Sequence, residues 1–140
     1  MAPMKLVKTV FLKAPAAHVW RFLTEADKLA LWFHGAEGDL KSGGDYAMTT
    51  NSYGREGERL MSGRVVEFDP PRKLVHTFTH RWLKGAETLC VWELAEVDGG
   101  TILTLTHSGW EKAGADAFAL GADHDRGWDE HFVRLRRVTG

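Results

Sequence analysis

The chain has 140 residues, 18 Lys and Arg against 19 Asp and Glu, a formal net charge of −1 and 44% hydrophobic residues. That size and composition suit one globular domain over residues 1–140 with a sizeable core, and the balanced charge leaves no electrostatic footprint for nucleic acid or an anionic membrane. Cys90 is the single cysteine, which excludes an internal disulfide; no stretch reaches membrane-spanning length, the first residues lack an apolar signal core, and the expected setting is cytoplasmic.

Residues 5–13 alternate in polarity and are rich in β-branched side chains, which predicts a strand. Ala14-Pro15 closes it, because proline suits a first helical turn. Residues 16–23 then form a short helix with Val19, Phe22 and Leu23 on one side. Thr24-Glu25-Ala26-Asp27 has the spacing of an N-cap with an acid three residues on. A second short helix is expected over residues 25–33, with Leu29, Trp32 and Phe33 inward.

Glycines at 35, 38, 43 and 44 mark loops and a tight turn before a strand over residues 45–50. Residues 51–57 read as a turn. Residues 58–68 form a longer strand whose Val65-Val66 doublet signals a bulge or burial on both faces. Asp69-Pro70-Pro71-Arg72 is a hard stop. Strands follow over residues 73–82, 87–97 and 101–108, the last two joined by the hairpin signal Asp98-Gly99-Gly100. Ser108 and Glu111 have capping-box spacing. The end of the chain reads as one long helix over residues 116–138, about 35 Å at the usual rise. Its apolar stripe is expected to run through Phe118, Gly121, Asp125, Trp128, Phe132 and Leu135.

The order is strand, two short helices, about six antiparallel strands, then a long helix. Consecutive strands with short turns make a meander. Only the final helix is long enough to cover the sheet.

Several strings in that order resemble a known family. They include Val19-Trp20, Leu31-Trp32-Phe33, Gly43-Gly44-Asp45-Tyr46, the run from Gly63-Arg64-Val65-Val66 through Asp69-Pro70-Pro71-Arg72-Lys73-Leu74, the run from Thr101-Ile102 to Thr106-His107-Ser108-Gly109, and His124-Asp125-Arg126-Gly127-Trp128. The chain is similar to the START-like (SRPBCC) superfamily, and within it to the branch named after the C-terminal domain of the activator of Hsp90 ATPase. The resemblance implies an α+β helix-grip fold of the Bet v 1/START type. In it a curved antiparallel sheet of six to seven strands wraps the C-terminal helix and encloses a cavity, with two short helices after the first strand. It does not by itself fix a function.

His76 and His80 are four apart on one strand, and His124 and His131 seven apart on the last helix. Zinc needs three or four converging ligands, and these spacings match no recognised set; no metal or cofactor is expected. His107 shares a strand face with Leu103 and Leu105 and is either a hydrogen-bonded core residue or a polar contact in a pocket. Asp125 is either a carboxylate on the apolar stripe, which then needs a partner, or lies just off it in water. Cys90 reads as core. The aromatics exceed what plain filling needs, so some of Trp32, Phe33, Tyr46, Phe78, Trp82, Trp92, Phe118, Trp128 and Phe132 are expected to border a cavity.

The leading expectation is a binding domain for a small hydrophobic or aromatic molecule. Trp32, Tyr46, Met48, Trp128 and Phe132 would contact it, and His107 and Asp125 would orient it. The alternatives are a co-chaperone-like interaction module and a cyclase- or hydrolase-like enzyme built on His107 and Asp125. A homodimer is compatible with each.

Overall fold

The computed structural model describes residues 3–50 and 58–140. β1 (Leu6–Leu12) leads into α1 (Ala16–Thr24) and α2 (Ala26–Trp32). Five strands follow: β2 (Asp45–Thr50), β3 (Glu58–Asp69), β4 (Lys73–His80), β5 (Thr88–Val97) and β6 (Gly100–Ser108). A 3₁₀ segment (Trp110–Asp116) then feeds α3 (Ala117–Thr139). The turn expected over residues 51–57 lies outside the described residues.

The strands form one antiparallel sheet in the order β1-β6-β5-β4-β3-β2. β2 to β6 is a meander. β1 returns to pair with β6, with Leu6 opposite His107 and Leu12 opposite Thr101. α1 and α2 carry the chain from one edge of the sheet to the other. The segment after α2 then shields part of the β2 edge, through a bridge between Ala36 and Met48. The sheet curves around α3, and Leu12, Leu74, Leu103 and Leu105 are fully buried beneath it.

The Val65-Val66 doublet is a bulge: the β3–β4 register shifts between Val65 and Glu67, leaving Val65 buried and Val66 61% exposed. The expected hairpin after β5 forms with Asp98 and Gly99 at φ of 51° and 82°, positive at both central positions as a two-residue turn of matching twist requires.

Four local expectations are corrected. Thr24 does not cap α2: its buried hydroxyl turns back and donates to Trp20 O at 3.0 Å. Asp39 Oδ1, from the following loop, instead accepts the Ala26 N–H at 2.8 Å. Ser108 forms no capping box with Glu111, because Gly109 at φ 94° turns the chain into the 3₁₀ segment with no side-chain cap. The strand from residue 73 stops at His80, since His80 Nδ1 accepts the Trp82 N–H at 3.2 Å and starts a 3₁₀ turn over Arg81–Leu83. Phe118 leaves the stripe: the buried face of α3 runs through Gly121, Trp128, Phe132, Leu135 and Thr139, and Phe118 is 75% exposed.

Candidate functional site

Two hydrogen-bonded clusters under α3 hold the two buried histidines, His76 and His107. In the first, Trp128 Nε1–H donates to His107 Nδ1 at 3.1 Å. Thr88 Oγ is 2.8 Å from His107 Nε2 and spends its own proton on Phe78 O at 2.9 Å. His107 is therefore the Nε2–H tautomer, donating to Thr88 and accepting from Trp128. In the second cluster, Trp92 Nε1–H donates to His76 Nε2 at 2.9 Å. His76 Nδ1 then carries the proton and faces Tyr46 Oη and Thr77 O, both at 3.0 Å, while Tyr46 donates to Thr77 O at 2.6 Å. Burial lowers the pKa of His76 to about 4. Burial also pushes His107 well below the usual imidazole value, helped by the other histidines nearby. Both are satisfied as neutral rings, so an uncharged polar core is what the sheet and helix enclose.

A pocket of about 390 Å³ opens between the first half of α3 and the sheet. Leu60 and Met61 of β3 and Phe78 and His80 of β4 form its floor. Phe33 and His34, just after α2, close one end, and Trp82, 48% exposed, stands at the rim. α3 contributes Leu120, His124, Gly127, Trp128 and His131, residues three and four apart along one face, with Asp123 beside them. The aromatic rings are mutually packed: Phe33 stacks on Trp128 at 5.2 Å, and Phe78 meets His124 edge-on at 6.0 Å.

The imidazoles of this wall have defined roles. His80 accepts from the Trp82 N–H on Nδ1, so its proton sits on Nε2 and is donated to His124 Nε2 at 2.8 Å. His124 Nδ1–H in turn donates to Leu120 O at 2.7 Å. The two rings are nearly parallel, 6° apart. Burial lowers the pKa of His80 to about 4, with His124 adding to it. Burial also lowers His124 and His34. His131 falls to about 3 through burial and the neighbouring His34 and Arg134. Among the described residues, no group of three or more His, Cys, Asp or Glu is arranged to hold a metal ion. The buried Cys90 thiol is pushed well up by its surroundings, and that favours the protonated form.

Of the seven residues expected to contact a ligand, Trp128 lines this pocket. Trp32 is buried behind it, its indole N–H donating to Phe22 O at 2.8 Å. Tyr46 belongs to the His76 cluster, and Met48 and Phe132 pack in the core. His107 lies beneath Trp128, with both ring nitrogens occupied. Asp125 points to the other side of α3, where Lys8 of β1 bridges its carboxylate at 2.8 Å and that of Asp129 at 3.0 Å. The Asp125 carboxylate is half exposed, and the acid–base pair with His107 does not form.

Sequence reasoning singled out His80, His124 and His131 only as weak metal candidates, Gly127 only within a family-like string, and Leu60, Met61 and Leu120 not at all. The seven-residue step from His124 to His131 was the available signal, because it places both on one helix face.

An antiparallel sheet closed around a long C-terminal helix, with two short helices bridging its edges, makes this an α+β helix-grip protein. The profile of the family described as Activator of Hsp90 ATPase homolog 1-like protein matches residues 13–140, and the chain belongs to that family. No curated protein matches the chain. Among solved structures, the chain is similar to protein BH1534 of Bacillus halodurans, with 27% identity, full coverage of both chains (100% and 100%) and a TM-score of 0.77. It is also similar to the Aha1 dimer of Colwellia psychrerythraea, with 17% identity, 97% of this chain and 96% of that one covered, and a TM-score of 0.77. A third likeness is to DynU16, a protein of the dynemicin biosynthetic locus, at 23% identity and a TM-score of 0.76, covering 95% of this chain and 46% of that one. No helix among the described residues is long and apolar enough to cross a membrane.

Proposed function

We propose that the chain is a binding module for a small, largely apolar molecule held between the sheet and the first half of α3. The observation that supports this best is the pocket itself: about 390 Å³, floored by Leu60, Met61 and Phe78 and roofed by Leu120 and Trp128. Its volume falls within the usual range for small-ligand sites. Burying an aromatic ring against such walls supplies a few kcal/mol at ~25 cal/mol per Å², reduced by association costs. The likeness to a protein of a biosynthetic locus is in keeping with this reading. The test is mass spectrometry of small molecules that co-purify with the native protein, followed by titration of tryptophan emission with those compounds. Saturable quenching that a Trp128→Phe variant loses is expected. No saturable change with any of them would remove the proposal.

A second reading, a co-chaperone-like interaction module, draws on the family description and on Phe118, 75% exposed at the start of α3. It expects the purified chain to stimulate ATP hydrolysis by Hsp90, and a flat rate would exclude it. The third reading, an enzyme using His107 and Asp125, lacks its pair, since each is held by other partners.

A further inference from the structure

Four imidazoles face the pocket, but they are not equally available. His80 gives its proton to His124 and His124 gives its own to Leu120 O, so neither can donate to a bound molecule without breaking one of those bonds. His131 is different. Arg134, one turn further along α3, places Nη2 2.6 Å from His131 Nδ1 and donates from Nε to Trp32 O at 3.2 Å. A guanidinium has donors only. Trp32 O also lies 3.3 Å from that Nδ1, but it already accepts from Arg134 Nε, and the guanidinium is the closer neighbour and can only donate. Nδ1 therefore presents its lone pair to Arg134, and the His131 proton sits on Nε2. That Nε2–H has no protein partner among the described residues. No buried side-chain nitrogen or oxygen of the described residues lacks a partner, so Nε2 stands at an accessible surface, and His131 is one of the residues that line the pocket. His34, its ring 5.6 Å from that of His131, also has no hydrogen-bond partner among the described residues.

We infer that His131 Nε2–H is a fixed hydrogen-bond donor that selects, among apolar molecules entering the pocket, those carrying a carbonyl-type acceptor oxygen. Arg134 is the positioning residue that sets the donor. The inference rests on the pocket being a ligand site, the reading proposed above. The ligand class it defines is an aromatic or aliphatic ketone, ester or quinone. Its rings would lie among Phe33, Phe78 and Trp128, and its oxygen would be directed to the His131 end. A hydrocarbon of the same shape leaves the donor unpaired when it displaces water, and an unmet buried donor is costly.

The test uses benzophenone and its isostere in which C=CH2 replaces C=O, each titrated into the full chain by protein-observed NMR, following Trp128 and His131. The nitrogen shifts of the His131 ring read its tautomer directly. The wild type is expected to hold the Nε2–H form and to bind the ketone roughly tenfold more tightly than the alkene, the size of one good hydrogen bond. His131→Phe is expected to remove that preference while keeping the alkene affinity. Arg134→Leu, a change at an exposed guanidinium, is expected to mix the two tautomers and weaken ketone binding alone. Equal wild-type affinities for the two compounds, or a preference that survives in His131→Phe, would overturn the inference and leave the pocket reading standing. If neither compound moves the Trp128 resonance, both are overturned.

Discussion

Trp128 donates its indole proton to His107 across the interface between helix and sheet, 3.1 Å from nitrogen to nitrogen. The bond ties the middle of α3 to β6, and both partners are almost fully buried. Replacing His107 by Ala leaves two unmet polar groups, on Trp128 and Thr88, and a void. The expected destabilisation is about 3–5 kcal/mol from those two sources together. Trp128→Phe removes one bond and part of a ring, and about 1–3 kcal/mol is expected. Urea denaturation of both variants measures this, and a loss under 1 kcal/mol for His107→Ala would contradict the assignment.

Acid should unfold this protein early, and the sign follows from the buried imidazoles. A histidine whose folded pKa lies below its unfolded value favours the fold only while it is neutral. Its contribution is complete above the unfolded value, near 6.5, and is lost as pH falls toward the folded value. For His76 that window runs from about 6.5 down to about 4, and a shift of that size corresponds to about 3 kcal/mol. His107, His124 and His131 shift in the same direction. The melting temperature should be flat above pH 7 and fall steeply between pH 6 and pH 4, by more than carboxylate titration alone explains. A His76→Gln variant should show a shallower slope over that range, and an unchanged slope would count against His76 as a source.

Asp125 gives a contrasting case. Its partner Lys8 is held by two carboxylates, which raise the ammonium pKa against the opposing effect of burial. The Asp125 side chain is half exposed, so Asp125→Asn should cost less than about 1 kcal/mol, the size of a surface ion pair. Calorimetric binding of whatever ligand the pocket takes should be unchanged in this variant. A large loss of affinity would place Asp125 in the ligand's surroundings after all.

Gly127 lies inside α3 and faces the pocket, and a Cβ built there meets nothing within 4 Å. Nothing steric requires a glycine at this position, and glycine within a helix costs about 0.5–1 kcal/mol relative to alanine. Gly127→Ala should therefore raise the melting temperature slightly while narrowing the pocket by one methyl group. Stability and ligand affinity are expected to move in opposite directions in this single variant. A rise in both would show that the space beside Gly127 is not used.

The fold was legible because each element announced itself locally. Alternation marked the strands, Pro15 and the Pro70-Pro71 pair marked the stops, Asp98-Gly99 marked a turn that needs positive φ, and the Val65-Val66 doublet marked an irregularity, of which a bulge was one of two readings. The site was less legible because it depends on which faces meet. Helical spacing put Asp125 within the stripe, but each helical step rotates a side chain by about 100°, and an edge of the stripe is also an edge facing Lys8. Helical spacing likewise grouped His124 with His131. No spacing rule tells that His80 of β4 will lie against the first, or that Arg134 will fix the proton of the second. Those pairings come from the curvature of the sheet and the place where α2 ends.

The pairing of β1 with β6 sets the order in which this chain is completed. Leu6 has no ladder partner until His107 exists, and Leu12 none until Thr101 does. During synthesis the first strand, with its apolar Leu6, Val10 and Leu12, must wait while nearly the whole sheet is made. Contacts so distant in sequence slow folding and lengthen the exposure of unpaired strand. Lys5, Lys8 and Lys13, spaced along this segment, are the kind of charge that keeps a waiting edge from pairing with another copy of itself. The first strand is thus among the last elements to be locked in place.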